Sequence, residues 1–219
     1  PAAPAAAPEL APTQVLTVTL LHTNDFHGNL QPAGSNPGMA RTANMMFITG
    51  TVEPTYTIIL DAGDIMQGTL LSNLFYGEST IDIYNQVGYD VATFGNHEFD
   101  WGQDVLISRT AEAAFPFVSA NIVVSDTGSC DTAGWTLPAF VDAPYVTITL
   151  GTAPDDVVIG IIGVTTQEVP YITVDWATAG LCFKDPTAAI GHYWAELDAA
   201  ADAIVVLSHL GNIDGGYGY

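Results

Sequence analysis

The sequence predicts an α/β protein with helices packed outside a layered sheet. Beyond residue 14, short β-rich runs alternate with helix-length segments, and several of the runs are continuously apolar. Polar, glycine-containing clusters follow the carboxyl ends of these runs. Strands alternating with helices suggest a largely parallel sheet. Strands without a polar face suggest cover on both sides.

Taken in order, PAAPAAAPELAPTQ (1–14) reads as a flexible, extended Pro/Ala-rich leader. It has neither a charged start nor an apolar stretch, so it is not itself a signal peptide. Such tracts often follow a removed one, which points to a mature secreted form. VLTVTLLH (15–22), TIILDAG (57–63), DVATFG (90–95) and FVSANIVV (117–124) read as strands, as do YVTITL (145–150), VVIGIIGV (157–164) and AIVVLSH (203–209). Helices are expected over 38–49, 68–75, 79–88, 102–113 and 186–201. The last opens with Asp185 as N-cap and Pro186 in the first helical position. Residues 125–143 are rich in turn formers and read as a surface loop fixed by Cys130.

Composition removes several functional classes. Three Lys+Arg against 24 Asp+Glu give a net charge of −21, so these residues build no nucleic-acid groove and no site for anionic membranes. A hydrophobic content of 48% excludes an acidic disordered chain. The apolar run 157–164 falls far short of the roughly 20 residues that cross a bilayer. Only Arg41, Arg109 and Lys184 can pair with carboxylates, so the surface repels itself unless salt screens it. A saline or extracellular setting fits this, as does a merely acidic protein. An anionic substrate would need cations imported as metal ions. Cys130 and Cys182 lack metal-knuckle spacing; they are a disulfide in an oxidising compartment or two buried thiols in a reducing one.

The chemistry-bearing residues gather where strands stop. His22-Thr23-Asn24-Asp25-Phe26-His27-Gly28, Asp61-Ala62-Gly63-Asp64, Gly95-Asn96-His97-Glu98-Phe99-Asp100 and Ser208-His209 each follow or end a strand. Carboxyl ends of strands form the ligand crevice of open α/β sheets, so these loops can converge. Asp, His and Asn beside glycines suit a hard-to-borderline dication. Each loop alone has a plainer reading: Asp64 in a type I turn, Asn96 as a left-handed turn residue, His209 as a satisfied core histidine. All of them together at strand ends favour the metal reading.

On Asp25-x-His27, Gly63-Asp64-x-x-x-Gly68, Gly95-Asn96-His97-Glu98 and Ser208-His209, the chain resembles the calcineurin-like metallophosphoesterases. LLHTNDFHGNL and FGNHEFDWG resemble their 5′-nucleotidase branch. The resemblance implies a four-layer α/β/β/α sandwich over 15–219 holding two divalent metal ions, with Zn, Mn, Fe or Mg/Ca variants all open. Asp25 and His27 would hold the first metal, Asp64 would bridge, and Asn96 and His209 would hold the second. His97, oriented by Asp100, would assist as an electrostatic or proton-donating group. The implied activity is hydrolysis of a nucleotide phosphate ester, a 5′-mononucleotide foremost, by metal-bound hydroxide. The implied setting is secreted, periplasmic or extracellular.

The family also carries a later Gly-His-x-His-type motif and a C-terminal substrate domain, neither of which is found in these residues. The fold is therefore expected to be incomplete at its C-terminus, with a missing segment, domain or partner chain completing the site. His192, the one unassigned histidine after the third motif, reads as a packing or surface residue. The rival functional reading is a non-catalytic extracellular or surface protein on the same scaffold.

Overall fold

The computed structural model describes residues 16–52, 56–127, 129–153 and 155–211; the expected leader at 1–14 lies outside them. In chain order the elements are β1 (Val18–Thr23), α1 (Met39–Val52), β2 (Tyr56–Asp61), α2 (Leu70–Leu74), α3 (Glu78–Val87), β3 (Val91–Ala92) and α4 (Gln103–Glu112). There follow β4 (Ile122–Val124), β5 (Tyr145–Leu150), β6 (Val157–Thr165), α5 (Val169–Ile172), β7 (Leu181–Phe183), α6 (Pro186–Ala200) and β8 (Ala203–His209). Short 3-10 turns occupy His97–Phe99 and Asp175–Thr178.

β1, β2 and β3 form a parallel sheet in that order. A second sheet has the order β5-β6-β8, with β8 parallel and β5 antiparallel to β6. Strand side chains alternate between faces, and the core follows that period. Ile58 and Leu60 of β2 point inward to meet Ile159 and Ile161 of β6 and Leu207 of β8. Ile59 of β2 and Leu21 of β1 point outward, against a cluster holding Met39, Ile81, Tyr84 and Leu106 from α1, α3 and α4. On the far side, Ile162 and Val164 of β6 pack with Ala189 and Leu197 of α6. The layers are thus helices, sheet, sheet, helix: the α/β/β/α sandwich. β6, the most continuously apolar strand, is buried between the facing sheet and α6.

The strand expected over 117–124 divides in two. Val118 N donates to Ala92 O (2.8 Å) in the first sheet, and two residues later Ala120 N donates to Gly163 O (2.7 Å) in the second. The segment stitches the sheets together, and only its end, β4, pairs with β7. Gly163 is required here, because a Cβ would collide with the Val118 carbonyl. The strand expected at 90–95 keeps only two laddered residues, and the helix at 68–75 shrinks to one short turn. β7, α5 and both 3-10 turns have no counterpart in the sequence reading.

Cys130 and Cys182 are joined in a disulfide with their Cα atoms 5.2 Å apart, tying the 125–143 excursion to β7. Lys184 Nζ donates to the carbonyls of Cys130 (3.1 Å) and Ala133 (2.9 Å). His192 stacks on Trp135 with ring centroids 3.9 Å apart, a packing role. Asp185 caps α6 by accepting from Ala188 N at 2.8 Å. Among the described residues no helix is long and apolar enough to cross a membrane.

Candidate metal centre

Parallel pairing puts the carboxyl ends of β1, β2 and β3 on one edge, and the loops that follow stay in register beyond the ladder. Asp25 N donates to Gly63 O (3.0 Å), His27 N to Asp64 O (2.9 Å) and Gly28 N to Ile65 O (2.9 Å). This pairing requires left-handed backbone at Asp25, His27 and Asp64, with φ of 50°, 51° and 57°. Non-glycine residues seldom adopt such values, and they concentrate at functional sites. Gly63 and Asp64 both have positive φ, so the type I turn of the plainer reading does not form. Asn96 has φ −78° and immediately precedes the 3-10 turn, so it is not the left-handed turn residue of the plainer reading.

Asp64 is the hub. Its Oδ1 accepts from His97 N at 2.8 Å, while its Oδ2 lies 3.4 Å from His209 Nε2 and 3.8 Å from His27 Nε2. Potential ligand atoms of Asp25, Asp64 and His209 lie within 4.8 Å of one another, and so do those of His27, Asp64 and His97. The resemblance pairs Asp25 with His27 and Asn96 with His209. Proximity here sets Asp25 beside His209 and His27 beside His97, with Asp64 common to both groups. Asn96 is half-buried at the start of the turn that carries His97. A recess of about 480 Å³, lined by His22, Asn24, Asp25, Ser208, His209 and Leu210, opens beside the centre. A larger apolar groove of about 660 Å³ between α1 and α3 includes none of these residues.

The histidine tautomers show that the centre fits a cation. His27 Nδ1 faces the Gln67 carbonyl at 2.7 Å, and His209 Nδ1 faces the Ala62 carbonyl at 2.9 Å. A carbonyl only accepts, so each Nδ1 carries a proton and each Nε2 lone pair is turned toward Asp64. Lone pairs aimed at a buried carboxylate need a proton or a metal between them. Burial opposes charge on His209, but the hydrogen bond and charge of Asp64 outweigh it and lift the imidazole to about 9. Burial likewise works against ionised Asp64, yet His209 and the His97 backbone hold its carboxyl below the ordinary range. Carbonyl-anchored imidazoles converging on one carboxylate are the arrangement in which outer hydrogen bonds orient metal ligands.

His97 is held differently. Its Nδ1 lies 2.6 Å from Asp100 Oδ2, and Asp100 Oδ1 accepts from Thr173 Oγ1 at 3.2 Å. Thr173, just after α5, escaped the sequence reading because nothing local links it to a turn 73 residues away. Asp61, at the end of β2, is fully buried, which pushes its carboxyl up to about 8 against hydrogen bonds from Thr23, Gly63 N and Tyr84.

The sequence pattern that defines the calcineurin-like phosphoesterases matches residues 18–219. A 5′-nucleotidase of Bos taurus is 31% identical over 207 residues, covering 89% of this chain and 34% of that protein. The solved 5′-nucleotidase precursor of Thermus thermophilus superposes with a TM-score of 0.70 at 32% identity, over 89% of this chain and 37% of that one. The calcineurin-like phosphoesterase YfkN of Bacillus subtilis shares the fold with a TM-score of 0.74 at 24% identity, over 91% and 64% of the two chains. The chain therefore spans about a third of the length of the curated relatives it matches. By fold, strand-end motifs and matched residues, it belongs to the calcineurin-like phosphoesterase family.

Proposed function

We propose that residues 15–219 are the metal-binding domain of a 5′-nucleotidase-like hydrolase that releases phosphate from nucleotide esters. The observation that carries this reading is the buried Asp64 carboxylate facing the Nε2 atoms of His27 and His209, with the His97–Asp100 pair alongside. Two divalent ions, zinc, manganese or similar, would be held by Asp25, His27, Asp64, Asn96 and His209. Such ions supply positive charge for phosphoryl oxygens and acidify water. In a chain of net charge −21 they also offset its repulsion of an anionic substrate.

The protein's own groups then have distinct tasks. Asp64 and the carbonyl-anchored imidazoles fix ligand directions before substrate arrives. His97, whose charged form Asp100 favours, stands ready to neutralise charge on the phosphoryl group or to give the leaving oxygen its proton. The nucleotide specificity surface lies beyond these residues, in a further segment, domain or partner chain. The Cys130–Cys182 disulfide and the acidic surface support a secreted, periplasmic or extracellular setting.

The test is phosphate release from 5′-AMP by chelator-stripped protein from its natural source, with Mn²⁺ or Zn²⁺ restored. Release should return with metal and fall at least about 10²-fold in His97→Ala. Asp64→Ala should abolish it, with far-UV circular dichroism unchanged in both variants. Release from both variants at the wild-type rate would contradict the assignment.

A further inference from the structure

We infer that Glu98 is the positioning residue of the metal centre, a carboxylate clasp that holds Asp64 in place without ligating metal. The inference rests on the reading of Asp64 as a metal ligand. Glu98 follows His97 in the 3-10 turn and is 1% exposed, with no lysine or arginine among its partners. Its Oε2 accepts from Asp64 N (2.8 Å) and Gly95 N (2.7 Å), and its Oε1 accepts from Ile65 N (2.7 Å). Both oxygens therefore face backbone donors, and Glu98 belongs to neither group of clustered ligand atoms.

The left-handed turn at Asp64 takes the N–H groups of Asp64 and Ile65 out of any ladder, and Glu98 satisfies both. Through Gly95 N the same carboxylate grips the loop after β3, and His97 N closes the circuit by donating to Asp64 Oδ1. The loops touch so closely that a Cβ on Gly95 would collide with the Asp64 carboxylate. One buried side chain thereby fixes the hub ligand to the turn that carries Asn96 and His97.

Only a carboxylate accepts on both oxygens. Glutamine of the same shape sets an amide N–H₂ against a backbone donor, and aspartate is one methylene short. The experiment is Mn²⁺ titration of the full chain and of Glu98→Gln, followed by the Mn²⁺ paramagnetic resonance spectrum, with circular dichroism reporting the fold. The expected result is affinity lowered about ten- to hundredfold and an altered spectrum in a folded variant. Wild-type affinity and spectrum in folded Glu98→Gln would overturn the inference alone. No Mn²⁺ binding by the wild-type chain would overturn the metal reading beneath it. If Glu98→Gln does not fold, amide hydrogen exchange of the wild-type chain decides. Slow exchange at Asp64, Ile65 and Gly95 is expected, and loop-like rapid exchange would overturn the clasp.

Discussion

His97 shows how a single side chain is tuned. Burial works against its charge, but the Asp100 hydrogen bond, with the nearby carboxylates, more than offsets this and holds the imidazole above its ordinary 6.5. A group that acts as imidazolium is active below its pKa, so the rate should fall as pH rises through that raised value. Asp100→Asn removes the main support. It should move the alkaline limb of the pH–rate profile to lower pH and cut kcat about 10²-fold. A limb left in place would contradict the pairing. Asp25, His27, Asp64, His97 and His209 were legible because each sits in a short motif at a strand end. The part played by Glu98 was not legible, although it lies in the same motif as His97. A glutamate in a motif looks like a ligand or a surface charge, and backbone donors converging on it appear only once the loops have folded together.

At the scale of elements, expectation and structure agree where periodicity is long and local. β5 and β8 match their expected ranges, and α3, α4 and α6 agree to within a residue. Expectation failed where long-range pairing decides. Residues 117–120 read as one strand with 121–124 because Phe117, Val118 and the Ile122–Val124 run are β-formers, yet the backbone bonds pass from Ala92 to Gly163, where the missing side chain lets the segment cross from one sheet to the other. β7 was missed because three residues, LCF, carry no period of their own; their partner β4 creates the strand. α6 shows packing decided at a single position. Fully buried Leu197 lies over Gly160 of β6, where a glycine leaves room for it. Leu197→Ala should cost about 2–5 kcal/mol of stability in thermal or denaturant unfolding. Mn²⁺ affinity of the folded variant should stay the same, because α6 covers the second sheet away from the strand-end loops. A lost metal site with unchanged stability would reverse that division of labour.

For the molecule as a whole, fold and charge act together. Two sheets face each other so that β1, β2 and β3 deliver their loops to the same place as His209 at the end of β8. Asp64 and His209, far apart in the chain, meet only because both sheets have formed and packed. The centre gathers negative and metal-seeking groups in a chain whose three basic residues lie elsewhere, with Lys184 at the disulfide loop and Arg109 paired to Glu112 on α4. Such a centre makes chemical sense if cations come from solution. Calorimetric titration of the chelator-stripped chain with Mn²⁺, beside Asp64→Ala, tests this most directly. Saturable binding by the wild-type chain and its loss in a folded Asp64→Ala variant are expected. Absence of binding by the wild-type chain, or binding that survives the loss of Asp64, would contradict it.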